Sequence, residues 1–164
     1  MAVTSFDPRG PVILPKNGSM PTVVYGLYEA NSQSFSAGHL VYLVSAAVTL
    51  YPGGDIPVYG IALKDATNVS SGNIEIPVQV ITPEDIVIFT VATSADVPEA
   101  ANTTCAIGTT YDTNTGSSYP SYIDSSDTTN GCFRFQGPVL AADGSASTRG
   151  YFRLVPAEAQ AWEG

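Results

Sequence analysis

One histidine, two cysteines and fifteen scattered carboxylates carry most of the acid–base, thiol and metal-binding chemistry this chain could perform. A Ser–His–Asp relay would have to run through His39, and no G-x-S-x-G elbow stands near it. A solitary histidine at the entrance of a strand lacks the orienting partners that general-base work demands, so His39 is expected to be structural. Cys105 and Cys132 are too far apart for a metal knuckle and belong to no Cys-x-x-Cys pair, which leaves two buried thiols as the leading expectation and a disulfide as the lesser one.

Asp112-Thr113-Asn114-Thr115-Gly116 resembles the opening of a calcium loop, but its glycine comes one place early and position twelve would be Ile123. A turn is the favoured reading of Asp112; Asp124 and Asp127 lie in the same polar loop and could join a weak ion site, although Asp in Ser/Thr-rich turns usually caps backbone donors instead. Carboxylate pairs for glycoside cleavage, Glu75 with Asp85 or Glu84 with Asp96, have no distinguishing spacing. Gly53-Gly54 leads into Ile56-Pro57-Val58, a strand start, whereas a phosphate cradle needs a helix there. These residues point to no catalytic, cofactor or metal site, and the chain is expected not to be an enzyme.

Six Lys and Arg against fifteen Asp and Glu give a net charge of −9, which repels phosphate backbones and anionic lipid, so neither nucleic acid nor a membrane is an expected partner. Charged residues make up only 13% of the chain, about half the usual share of roughly 25%. Gly, Pro, Ser, Thr and Tyr take up the difference, a mixture that favours strands and turns. With 164 residues, 44% of them hydrophobic, the chain is long enough for one domain with a real core.

The elements that must position any site read as strands. From Gly38, Leu40, Tyr42, Val44, Ala46, Val48 and Leu50 alternate with their neighbours, predicting one strand with a wholly apolar face. Pro52-Gly53-Gly54-Asp55 then punctuates a hairpin or corner before Ile56–Leu63, where Gly60 suits a bulge or a close backbone approach. Ile74–Ile81 alternates around Pro77, predicting an edge or bulge, and the unbroken run Ile86–Thr93 predicts a central strand. Phe133, Phe135, Phe152 and Leu154 are expected to point inward from two strands joined by an Asp143-Gly144 turn. Only residues 156–163 have helix-forming composition. Between these, residues 102–130 hold thirteen Ser or Thr among 29 residues and are expected to be loop with short strand pieces. The fold class is therefore all-β, a small barrel with little helix.

Residues 1–22 carry four prolines and enclose Val12-Ile13-Leu14 between Pro11 and Pro15, which predicts an extended arm followed by a single domain over 23–164. Phe6, Val12, Ile13, Leu14 and Met20 would lie in water unless something covers them, so the arm, with Pro8 and Arg9, is expected to dock on its own barrel, a second copy or a foreign surface. Among the aromatics, Tyr25, Tyr28, Tyr42 and Tyr59 are expected in the core or at its rim. Tyr111, Tyr119 and Tyr122, in the polar loop, are expected to be free to meet a partner.

From Gly38-His39-Leu40-Val41 through Val58-Tyr59-Gly60-Ile61-Ala62-Leu63-Lys64-Asp65-Ala66, followed by the β-rich stretch Ile76–Val91, about half the chain resembles the head decoration, or cement, proteins of tailed bacteriophages. The resemblance implies a β-barrel or β-tulip domain, often a homotrimer, on the outer surface of the virion, bracing adjoining subunits of the major capsid protein through N-terminal arms. It also implies synthesis in the host cytoplasm and no cofactor. Deletion of residues 1–22 is then expected to preserve folding and abolish head binding. The rival expectation is a receptor- or glycan-binding module of the same particle that uses Tyr111, Tyr119 and Tyr122.

Overall fold

The computed structural model describes residues 10–54, 56–71, 73–93, 97–115 and 120–160. Among these the chain is all-β, with one four-residue helix, α1 (Ala101–Thr104), and no helix long and apolar enough to cross a membrane. The strands form two sheets. The second sheet is the more local in sequence: β2 (Val23–Val24), β3 (Tyr28–Glu29), β4 (Leu40–Val44), β5 (Ala47–Leu50), β6 (Gly60–Ala62) and β7 (Val78–Val80), in the order β2-β7-β6-β4-β5-β3. Its far ends meet. Tyr28 bridges Glu75, the Glu29 N–H donates to the Ile74 carbonyl at 3.0 Å, and the Ile76 N–H donates to Leu27 at 2.8 Å. The sheet thus curls into a small barrel filled by Phe35, Val41, Val48, Tyr59, Ile76 and Val78.

The predicted single strand from Leu40 to Leu50 is instead a tight hairpin. Ser45 and Ala46 form its two-residue turn with φ of 50° and 63°, the left-handed pair that a primed turn requires, so Val44 faces Ala47 and Leu43 faces Val48. A two-residue turn exchanges odd and even positions. Leu40 and Tyr42 consequently pack toward the space between the sheets, while Val48 and Leu50 join Val41 and Leu43 around the small barrel's interior.

Gly60 is where β6 and β7 approach most closely: a Cβ there would stand 2.2 Å from the Gln79 carbonyl oxygen. The close approach expected from the sequence is therefore present. Pro77 immediately precedes β7, so its missing N–H costs that strand no ladder bond.

The first sheet draws on both ends of the chain. It contains β1 (Val12–Leu14), β8 (Ile86–Ala92), β9 (Thr110–Tyr111), β10 (Thr113–Asn114), β11 (Tyr122–Asp124), β12 (Phe133–Leu140) and β13 (Ala146–Leu154). The order is β10-β11-β8-β13-β12-β9, with β1 also on β8. The β-branched run of β8 is central, as its sequence predicts. The outermost strands β9 and β10 are joined in the chain through Asp112, so this sheet too nearly closes on itself. Phe133, Phe135, Phe152 and Leu154 are all buried as expected, and Phe89 meets Phe133 edge-on with ring centroids 4.7 Å apart. Gly150 leaves room for the rings; a Cβ there would lie 2.7 Å from Phe135 and 2.9 Å from Phe152.

Leu40, Val58 and Ile61 of the second sheet and its flanks complete this core. Polar ties fix the two units together: the Leu40 N–H donates to Ser121 Oγ at 3.0 Å, and the Gln160 side chain both accepts from the Leu43 N–H and donates to the Leu43 carbonyl. Of the segment with helix-forming composition, the described part holds a 3₁₀ turn, Pro156–Glu158, after which Ala159 pairs with Val58. Residues 161–164 lie outside the described residues.

Candidate functional site

The reactive side chains are engaged, one by one, in holding the chain together. His39 is half-buried, and its Nδ1 lies 3.0 Å from the Ser36 N–H and 2.9 Å from the Ser36 carbonyl, accepting from the first or, when protonated, donating to the second. Burial lowers its pKa below the ordinary histidine value against the opposing pull of the Ser36 backbone and Asp65. Glu75 accepts from the Gly26 N–H at 2.6 Å, Asp85 from the Thr82 N–H at 2.9 Å, and Glu84 pairs with Lys16. Asp96 lies outside the described residues. Both cysteines are free and buried, which pushes the Cys105 thiol to about 11 and that of Cys132 to about 12, away from the reactive thiolate.

Asp112 is the single residue between β9 and β10, where a turn was expected, but it does cap backbone donors. Its carboxylate accepts from the Gly54 N–H and the Thr113 N–H, both at 2.7 Å, and so ties the Pro52-Gly53-Gly54 corner to the junction of β9 and β10. Burial raises its pKa, outweighing those hydrogen bonds. Asp124 accepts from Ser126 and Asp127 from the Thr129 N–H, and no cluster of metal-ligating side chains forms among the described residues.

Glu29 is the most deeply covered carboxylate, 1% exposed at the seam where the small barrel closes. Desolvation would raise its pKa, but donation by Thr67 through both its hydroxyl and its N–H, by the Ile74 N–H, and the charge of Lys64 together hold it below the usual 4.5. A depressed carboxylate stabilises the fold fully above its unfolded pKa and loses that contribution as pH falls through the folded value. Asp112 has the opposite sign: its contribution is present at low pH and is lost as pH rises through its raised folded value. Urea unfolding of Glu29→Ala is therefore expected to show a deficit of about 1–3 kcal/mol at pH 7 that shrinks below pH 4.5. A deficit independent of pH would assign Glu29 no electrostatic part.

The tyrosine expectations are largely reversed. Tyr111 is 4% exposed and Tyr122 1%, because they sit on β9 and β11, short strand pieces of the kind expected in the Ser/Thr-rich segment, which here join the nearly closed sheet. Tyr111 donates or accepts within its own unit, its hydroxyl receiving the Ala106 N–H at 2.9 Å. Tyr119 lies outside the described residues. Tyr59 is buried as expected, whereas Tyr25 and Tyr28, read as core or rim, are 69% and 54% exposed on and beside β3.

The arm divides in the same way. Phe6, Pro8 and Arg9 lie outside the described residues. Val12, Ile13 and Leu14 pair antiparallel with Ile88, Val87 and Ile86, and Ile13 is buried in the chain's own core. Pro11 and Pro15 bracket this edge strand without removing its bonds, and Arg149 Nη2 donates to the Gly10 and Ile88 carbonyls at 3.1 and 3.2 Å. Ile13 is thus unavailable to a neighbour, and the barrel domain begins before residue 22. Leu14 remains outward-facing, and Met20 is 88% exposed.

Beyond Met20 the surface is grooved. An apolar hollow of about 260 Å³ is lined by Thr22, Val24, Val80 and Thr82 along the outer strand β2. A second hollow of about 220 Å³ shares Thr22, Val80 and Thr82 with it and extends to Met20, Pro21 and the Lys16–Glu84 pair. This strip, from Leu14 past Met20 to Val24, is the candidate site: exposed apolar side chains on backbone fixed by β1 and β2. Sequence reasoning found Leu14 and Met20 but missed the groove, whose only sign was the short Val23-Val24 run. In comparison with known proteins, no family model and no curated protein matches the chain.

Proposed function

We propose that this chain is a structural virion protein that decorates the outer surface of a tailed-phage head, stabilising contacts between major capsid subunits and acting as a homotrimer. The observation that carries the proposal is the apolar surface at the arm's root: Leu14 faces solvent on β1, which is anchored to the barrel, and Met20 faces solvent on the segment between β1 and β2, at a hollow that adjoins an apolar groove. Supporting it are the resemblance over residues 38–66 and 76–91 and the use of His39, Glu75, Asp85 and Asp112 as hydrogen-bonding ties within the fold. Bracing calls for area and a stiff body, and each large apolar side chain covered contributes roughly 1.5–3 kcal/mol before ordering costs, multiplied over linked copies. The glycan-binding alternative loses the ring faces of Tyr111 and Tyr122, which are buried.

Co-sedimentation of purified protein with undecorated heads tests the proposal. Leu14→Ser combined with Met20→Ser is expected to leave the thermal melt unchanged, since both side chains are exposed, and to weaken head binding about 100-fold or more. Full decoration by the double variant would remove the strip from the interface. Failure of the wild-type protein to bind any head would remove the proposal itself.

A further inference from the structure

Arg134 on β12 and Arg153 on β13 are direct cross-strand partners, and both are exposed on the outer face of the hairpin. Like charges placed opposite each other destabilise a strand pair. A chain with only six cations and a net charge of −9 has ample carboxylates to separate them, yet among the described residues neither guanidinium has an ion-pair or hydrogen-bond partner. The two line a groove of about 300 Å³ together with Gln136, Pro83, Val155 and Pro156. Its floor is rigid, because the inward residues of the same strands, Phe133, Phe135, Phe152 and Leu154, are fully buried.

We propose that Arg134 and Arg153 form a clamp for the side-chain carboxylates of an acidic protein segment. Each guanidinium presents a planar fork that matches a carboxylate bidentately, and a bound acid cancels the repulsion between the two. Pro83, Val155 and Pro156 supply apolar walls for the aliphatic part of an acidic peptide. The net charge of −9 disfavours long, dense polyanions such as nucleic acid, whose charge extends well beyond a two-arginine clamp. The clamp does not depend on the decoration proposal; any acidic protein partner would engage it.

The test titrates the full chain with capped hexaglutamate, capped hexaglutamine and inorganic phosphate, following the arginine Nε–Hε resonances by NMR. Hexaglutamate is expected to shift Arg134 and Arg153 saturably and to lose affinity with added salt, while hexaglutamine shifts neither. Arg134→Gln with Arg153→Gln is expected to weaken binding about tenfold or more and to melt at or above the wild-type temperature, since the opposed charges are gone. Arg134→Lys with Arg153→Lys should fall between, keeping charge without the fork.

Equal shifts from hexaglutamine, or undiminished binding by the double Gln variant, would overturn the clamp. Phosphate binding tighter than hexaglutamate would overturn the protein-segment assignment, as would arginine-dependent self-association in sedimentation without peptide. A double Gln variant that melts far below wild type would make the arginines structural and overturn it as well.

Discussion

Removal of residues 1–22 is expected to unfold much of the barrel, and to cost far more than removal of residues 1–9, which keeps β1 in place. The difference lies in three residues. Val12, Ile13 and Leu14 supply β8 with an antiparallel partner, and Ile13, 5% exposed, packs in the main core. Truncating a buried Ile to Ala costs about 2–5 kcal/mol, and losing the strand also exposes the edge of β8 beside Ile86–Ile88. Against a total stability of about 5–15 kcal/mol for an ordinary domain, that is about a third of the whole at mid-range. Circular dichroism melts of the two truncations and of Ile13→Ala check this. Equal melting of the longer truncation and the intact chain would mean that β1 contributes nothing to the fold. The sequence expectation that the whole arm can be deleted without cost is corrected by this pairing, and any assay of partner binding has to use the shorter truncation or the exposed Leu14 and Met20.

Gly60→Val is expected to be the most damaging single substitution. The added Cβ would sit 2.2 Å from the Gln79 carbonyl oxygen and 2.8 Å from a Val78 methyl, both on β7. Backbone oxygen in a paired strand cannot step aside as a flexible side-chain end can, so β6 and β7 must separate. That forfeits the pairing of Gly60 with Val80 and of Ile61 with Gln79, and opens the small barrel around Tyr59 and Val78. A cost of about 3 kcal/mol or more follows from overpacking of this severity. Gly54→Ala separates space from backbone conformation: its φ is 81°, but nothing lies within 4 Å of the added carbon. It is expected to cost only about 1–2 kcal/mol. Denaturant midpoints that rank the two the other way would place the constraint at the Gly53-Gly54 corner.

Gly60 was legible from sequence because a glycine inside an otherwise β-branched and aromatic run has few reasons to be there. The inward phenylalanines of β12 and β13 were legible for a similar reason, since alternation around Asp143-Gly144 fixes which residues share a face. The Ser45-Ala46 turn was not, because neither residue favours the left-handed region and the apolar alternation runs through both without a break. Tyr111 and Tyr122 were misjudged because burial depends on partners far away in the chain: Ile123 is aligned with Val91, and Tyr111 with Phe133. Ser/Thr-rich composition describes only the outward half of such strands. The arm's prolines correctly signalled an edge, but no local signal tells whether an edge strand joins its own sheet or another molecule's.

The division of strands between the two sheets also sets an order in time. Every strand of the small barrel lies between residues 23 and 80, so that unit has all its wall in hand when about half the polypeptide has left the ribosome. Residues 12–14 have no mate until residues 86–88 follow, and residues 87–90 in turn wait for 149–152. Ile13 therefore stays uncovered until β8 follows, and β8 itself lacks its long antiparallel partner until β13 is made, an interval in which uncovered apolar surface and an unpaired strand edge invite aggregation.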